Sequence, residues 1–135
     1  MDNNLRWQQR LQNFGKAFEA LQRRIDEHEQ YPNNEGYQMA LISSFVMMYE
    51  LSWKVLRDYL QNEGVDVSNS AKNVFRNAFQ NELIFKIEPW MESIVKRNDT
   101  VHAYHEDTLR KVIQFITETF YPVVRDLYFQ LKKEL

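Results

Sequence analysis

The 135 residues, 44% hydrophobic and 27% charged, have the composition of one globular domain over 1–135, large enough to bury a core without staples. A formal net charge of −2 lacks the basic surplus of a tight, non-specific nucleic-acid binder, although a local basic cleft is compatible with an acidic total. The absence of cysteine excludes disulfides, thiolate nucleophiles and cysteine-type zinc sites, and suits a reducing cytoplasm.

Met1-Asp2-Asn3-Asn4 is polar and leads directly into an amphipathic segment, so no secretory leader is expected. From Leu5 to Gln30, Trp7, Leu11, Phe14, Phe18, Leu21 and Ile25 recur at alternating four- and three-residue steps, the seam of a helix in a bundle. Gly15 interrupts that pattern, which points to a close approach by a neighbour. Tyr31-Pro32-Asn33-Asn34-Glu35-Gly36 reads as a loop.

A second helix is expected from about Tyr37 to Glu63, with apolar residues on most sides; such a helix is central or also serves a subunit interface. Its apolar run from Met39 to Met48, interrupted by Ser43 and Ser44, reads as too short to span a bilayer, so no membrane role is expected. Ser43-Ser44 reads as a close-packing site, and Met39, Met47 and Met48 read as core fillers. Gly64 is the expected C-cap, and Ser68-Asn69-Ser70 supplies an N-cap for a short third helix carrying Val74, Phe75, Ala78 and Phe79.

Pro89 suits the first turn of a fourth helix, with Trp90, Met91, Ile94 and Val95 on one side. A last helix is expected from Glu106 or Asp107 towards Leu135, kinked or broken near Thr119 by Pro122, whose ring clashes with the preceding turn. No strand pattern competes. The fold class is all-α: an up-and-down four-helix bundle with one additional short helix.

Chemistry concentrates in Arg97-Asn98-Asp99-Thr100-Val101-His102-Ala103-Tyr104. Arg neutralises a phosphate at any working pH, and His exchanges a proton near neutrality. The spacing alone proves little, because Arg23 and His28 repeat it in the first helix, where five residues turn a side chain by about 140° and send the pair apart. Continued as a helix, however, the stripe of Trp90, Met91 and Ile94 runs on through Arg97, Asn98, Val101, His102, Tyr104 and His105. Polar groups on a core-facing stripe must be paired or must line a cleft. Two readings stand: Arg97 pairs with Asp99, Glu92 or a distant carboxylate and His102 is a satisfied buried histidine, or the residues line a working cleft. His102 and His105 with Glu106 and Asp107 match no metal-ligand spacing, so neither metal nor cofactor is expected. No Gly-rich phosphate loop is present.

The chain resembles the nucleotidyltransferase substrate-binding protein family, a branch of the HEPN superfamily related to HepT-type toxins. The resemblance runs through Arg10-Leu11-Gln12-Asn13-Phe14-Gly15-Lys16-Ala17-Phe18, then Tyr49-Glu50-Leu51-Ser52-Trp53-Lys54-Val55-Leu56-Arg57-Asp58-Tyr59-Leu60. It continues through Arg76-Asn77-Ala78-Phe79, Leu83-Ile84 and Trp90 to the octapeptide at Arg97. Val101 departs from a frequent Ser, Glu82 from a frequent Gly and His105 from a common acidic residue.

The resemblance implies a homodimer whose motif residues meet at the interface, and a small nucleotidyltransferase partner encoded nearby. It also implies a choice between two functions. In one, the chain is a metal-independent ribonuclease toxin with Arg97 and His102 catalytic and Asn98 orienting, and with Tyr104 lining the cleft and accepting AMP from the silencing partner. In the other it is a non-catalytic docking or substrate-binding subunit.

Overall fold

The computed structural model describes residues 2–135. Helix α1 (Asn3–Gln30) is capped by the Asp2 carboxylate, which accepts from the Leu5 N–H at 2.8 Å. Every residue of the predicted seam is buried along it: Trp7, Leu11, Phe14, Phe18, Leu21 and Ile25. Gly15 is where the Tyr128 ring crosses; a Cβ there would lie 2.5 Å from the Tyr128 hydroxyl oxygen. The short Tyr31–Asn34 loop returns the chain into α2 (Glu35–Asn62), where the Asn34 side chain accepts from the Tyr37 N–H. The two helices pack along their length, pinned by fully buried Asp58, whose carboxylate accepts from Arg10 Nε at 3.0 Å and Arg57 Nε at 3.1 Å.

At the end of α2 the Gly64 N–H donates to Gln61 O and the Val65 N–H to Leu60 O, with Gly64 left-handed at φ 82°. That is a Schellman cap, which requires the conformation Gly adopts freely. Helix α3 (Ala71–Gln80) begins at the expected Ser70 cap and ends in a second cap of the same design. There the left-handed residue is Glu82, at φ 61°. Pro89 lies in the first turn of α4 (Glu88–Asp99), as its missing N–H allows.

The C-terminal helix is continuous but not regular. Helix α5 (Glu106–Phe115) passes through a π turn (Ile116–Phe120) into α6 (Tyr121–Lys132). Pro122 cannot donate to, and its ring crowds, the carbonyl of Glu118; widening the preceding turn accommodates the ring without breaking the helix. The core closes on an aromatic cluster in which Phe45, Phe115, Phe120, Phe75 and Trp90 meet edge to face or tilted. No strand occurs among the described residues, and the architecture is the expected helical bundle with α3 as the additional short helix.

Four packing expectations need correction. Of the methionines taken as core fillers, Met48 is buried but Met39 and Met47 are exposed. Val95 and Phe79 are likewise exposed, since each falls at the outer edge of its helix's apolar stripe. Ser43 faces solvent and Ser44 is half-buried, while the small residue sealed within α2 is Ser52, bonded to Met48 O. Finally, α2 runs through both serines without interruption, so it is long and apolar enough by length and composition to cross a membrane, with a mean hydropathy of 1.3 over its most apolar 18 residues. In the bundle its Leu41, Ile42, Phe45, Met48, Tyr49, Val55 and Leu56 face the core instead.

Candidate functional site

The octapeptide straddles the end of a helix. Helix α4 stops at Asp99, and Thr100–His102 tighten into a 3-10 turn. The Thr100 hydroxyl donates to Arg97 O at 2.7 Å and the Ala103 N–H donates to Thr100 O, so the next turn holds fewer residues than a turn of the helix before it. The apolar stripe therefore does not carry its direction onwards as a straight helix implies. Trp90 is buried and Ile94 half-buried, but Asn98, Val101, His102, Tyr104 and His105 all face solvent, and only Ala103 of the turn is buried. The reading of His102 as a satisfied core histidine is overturned: its ring is exposed.

Arg97 takes the distant-carboxylate alternative. Its Nε lies 3.8 Å from Glu50 Oε1 on α2, too long for a hydrogen bond but within ion-pair range. That Nε is sealed from solvent and has no hydrogen-bond partner among the described residues. Glu50 is itself fixed within α2, accepting from Trp53 Nε1 at 3.0 Å, with Lys54 Nζ 4.0 Å away. Beneath them burial pushes the Tyr49 hydroxyl up to about 12, the Glu50 charge adding to the rise and Arg97 opposing it. Cations continue down the face, Lys54 and Arg57 both lying over the Trp53 ring.

His102, Tyr104 and His105 form a second group on the turn. The His102 and Tyr104 ring centroids are 6.3 Å apart, and the Tyr104 and His105 rings are 4.3 Å apart and tilted by 37°. Tyr104 is 77% exposed, so its hydroxyl is open to a macromolecular partner. Sequence reasoning found Arg97, Asn98, His102 and Tyr104 but not Glu50. Glu50 gives no signal in the sequence, because its contact with Arg97 joins helices far apart along the chain.

None of the five main clefts among the described residues is lined by Arg97, Asn98, His102 or Tyr104. The motif lies on an open face instead. Exposed Met47, one turn from Glu50 on α2, and exposed Val101, four residues beyond Arg97, give that face an apolar character.

A helical bundle presenting this open Arg, His and Tyr run has the fold of the HEPN toxins. The bundle superposes on a solved structure of a tri-AMPylated Shewanella oneidensis HEPN toxin in complex with MNT antitoxin, with a TM-score of 0.76 and 16% identity, over 94% of this chain and 96% of that one. The chain belongs to the family described as nucleotidyltransferase substrate binding protein like, whose model matches residues 9–133. No curated protein matches its sequence.

Proposed function

We propose that the protein is the toxin of a toxin–antitoxin pair: a HEPN-type, metal-independent ribonuclease silenced by a small nucleotidyltransferase. The observation that carries this reading is the open presentation of Arg97, His102 and Tyr104. The two titratable rings make no hydrogen bond among the described residues, and the guanidinium has a single long ion pair. Residues serving only the fold are paired more fully, as Arg10, Arg57 and Asp58 are.

In this reading two copies pack through the face carrying Met47 and Val101 and bring two Arg97–His102 sets about one axis. His102 takes the proton from an RNA 2′-hydroxyl; the 2′-oxygen attacks phosphorus, the bond to the 5′-oxygen breaks, and that oxygen leaves with a proton supplied by the second His102 or by water. Arg97 stabilises the charge growing on the non-bridging oxygens, and Asn98 orients Arg97 or bonds a phosphate oxygen. Because the nucleophile belongs to the substrate, neither a protein nucleophile nor a metal is needed. Silencing would proceed by attack of the Tyr104 hydroxyl on the α-phosphorus of ATP held by the partner, with release of pyrophosphate. The superposed toxin is AMPylated and bound to its antitoxin, which supports that route.

The family description favours a second reading, in which the same face docks on the transferase or presents its substrate without cleaving anything. Expression in a bacterial host separates the two. A toxin arrests growth, Arg97→Ala or His102→Ala relieves the arrest, and co-expressed partner transferase relieves it while adding AMP to Tyr104. A docking subunit leaves growth unchanged in every case.

A further inference from the structure

The nuclease reading leaves unexplained why Arg97, alone in its motif, is tied to another helix. A side chain projecting from the last turn of α4 has many rotamers, and holding a guanidinium ready for phosphate means removing most of them before substrate arrives. Three observations on α2 bear on this. Glu50 Oε1 lies beside Arg97 Nε, and that nitrogen is the sealed one, so the part of the guanidinium that meets solvent is its other end. Glu50 is not free to follow a wandering Arg97, because its second oxygen accepts from the Trp53 indole at 3.0 Å. The buried Tyr49 phenol, next to Glu50 on α2, feels both charges, the Glu50 carboxylate raising its pKa and Arg97 lowering it.

We propose that Glu50 is the positioning residue for Arg97: it pairs with the Nε edge of the guanidinium and leaves the terminal nitrogens directed at the RNA phosphate. A guanidinium allows this division because its five N–H groups lie in a rigid plane, so one edge is held while the other bonds an anion bidentately. Glu50 touches no reacting atom. Its carboxylate would repel a phosphate placed directly beside it, so its place is behind Arg97, where its effect is on geometry. The proposal rests on the nuclease reading for its consequence, but not for the contact itself.

The test combines cleavage kinetics with a readout independent of cleavage, on the full-length chain. In steady state with an RNA oligonucleotide, Glu50→Ala is expected to lower kcat by roughly 10- to 100-fold while KM changes by less than about threefold. Glu50→Gln, which keeps an oxygen acceptor for Trp53 and Arg97, should recover part of the loss. In an Arg97→Lys background, which has no Nε edge to hold, adding Glu50→Ala should change kcat by less than about threefold. A wild-type kcat in Glu50→Ala overturns the proposal, as does an undiminished loss in the Arg97→Lys background. By 15N NMR, the Arg97 Nε–H should exchange slowly in the wild type and rapidly in Glu50→Ala; persistence of slow exchange in that variant also overturns it. If the wild-type protein leaves RNA intact, the nuclease reading fails, and the Nε–H signal still decides whether Glu50 holds Arg97.

Discussion

Arg97 and Asp58 show how differently this fold treats its charges. The Asp58 carboxylate is fully buried and bridges Arg10 and Arg57, so removing it leaves two half-buried cations and takes away the ion pair that joins α1 to α2. Asp58→Ala should cost about 3 kcal/mol in urea unfolding, the lower end for breaking a buried pair because both arginines can reach water. The Arg97–Glu50 pair is longer and about one-third exposed, and such pairs contribute under about 1 kcal/mol. Its importance lies in geometry, not stability. Two further residues test backbone and packing. Gly15→Ala drives a methyl into the Tyr128 ring, itself wedged against Phe14 and Phe18, and should destabilise by about 1–3 kcal/mol. Glu82→Gly relieves a left-handed residue and should raise stability by about 0.5–1 kcal/mol, as the relief of about 1–2 kcal/mol is partly offset by the greater backbone freedom of glycine when unfolded.

At the level of elements, the sequence was legible wherever periodicity or a local cap decided the outcome. The α1 seam, the Ser70 N-cap, the Gly64 cap and Pro89 in the first turn of α4 all follow from residues within one or two turns of each other. Glu82 was visible only as a residue standing where the family often has Gly, and its positive φ supplies the reason. Pro122 announced a disturbance near Thr119 but not its form: a kink, a break or a π turn each relieves the same clash. The end of α4 was not legible, because Arg97 to Tyr104 contains neither Gly nor Pro; the stop comes from the Thr100 hydroxyl and a 3-10 turn. Past that stop Val101, His102, Tyr104 and His105 face solvent, where a continued helix would have turned them towards the core. The Glu50 partner of Arg97 was hidden for another reason: a contact between helices far apart in sequence leaves no local pattern.

Across the whole molecule, the exposed Met47 and Val101 beside the motif lead to an expected two-fold assembly. Met47→Glu should convert a dimer to a monomer by light scattering and reduce cleavage, with little change in thermal unfolding; an intact dimer would remove this face from the interface. Two buried phenols link stability to alkaline pH. Burial pushes the Tyr59 hydroxyl up to about 12, with its hydrogen bond to Glu134 and the Glu134 and Glu63 charges adding to the rise, and Tyr49 is raised as far. Both pKa values lie above the unfolded value of about 10, so the native protein holds these protons more tightly. The associated stability is complete below pH 10 and is lost as pH rises through about 12. Absorbance titration should therefore show the Tyr49 and Tyr59 phenols ionising late, with stability falling as they do. Whether Arg97 and His102 form a metal-free RNA-cleaving centre is decided by the initial rate of RNA cleavage in excess EDTA for the wild type and for His102→Ala of equal thermal stability. Cleavage by the wild type and a rate at least about 100-fold lower in the variant are expected; equal rates, or no cleavage by the wild type, would rule out such a centre.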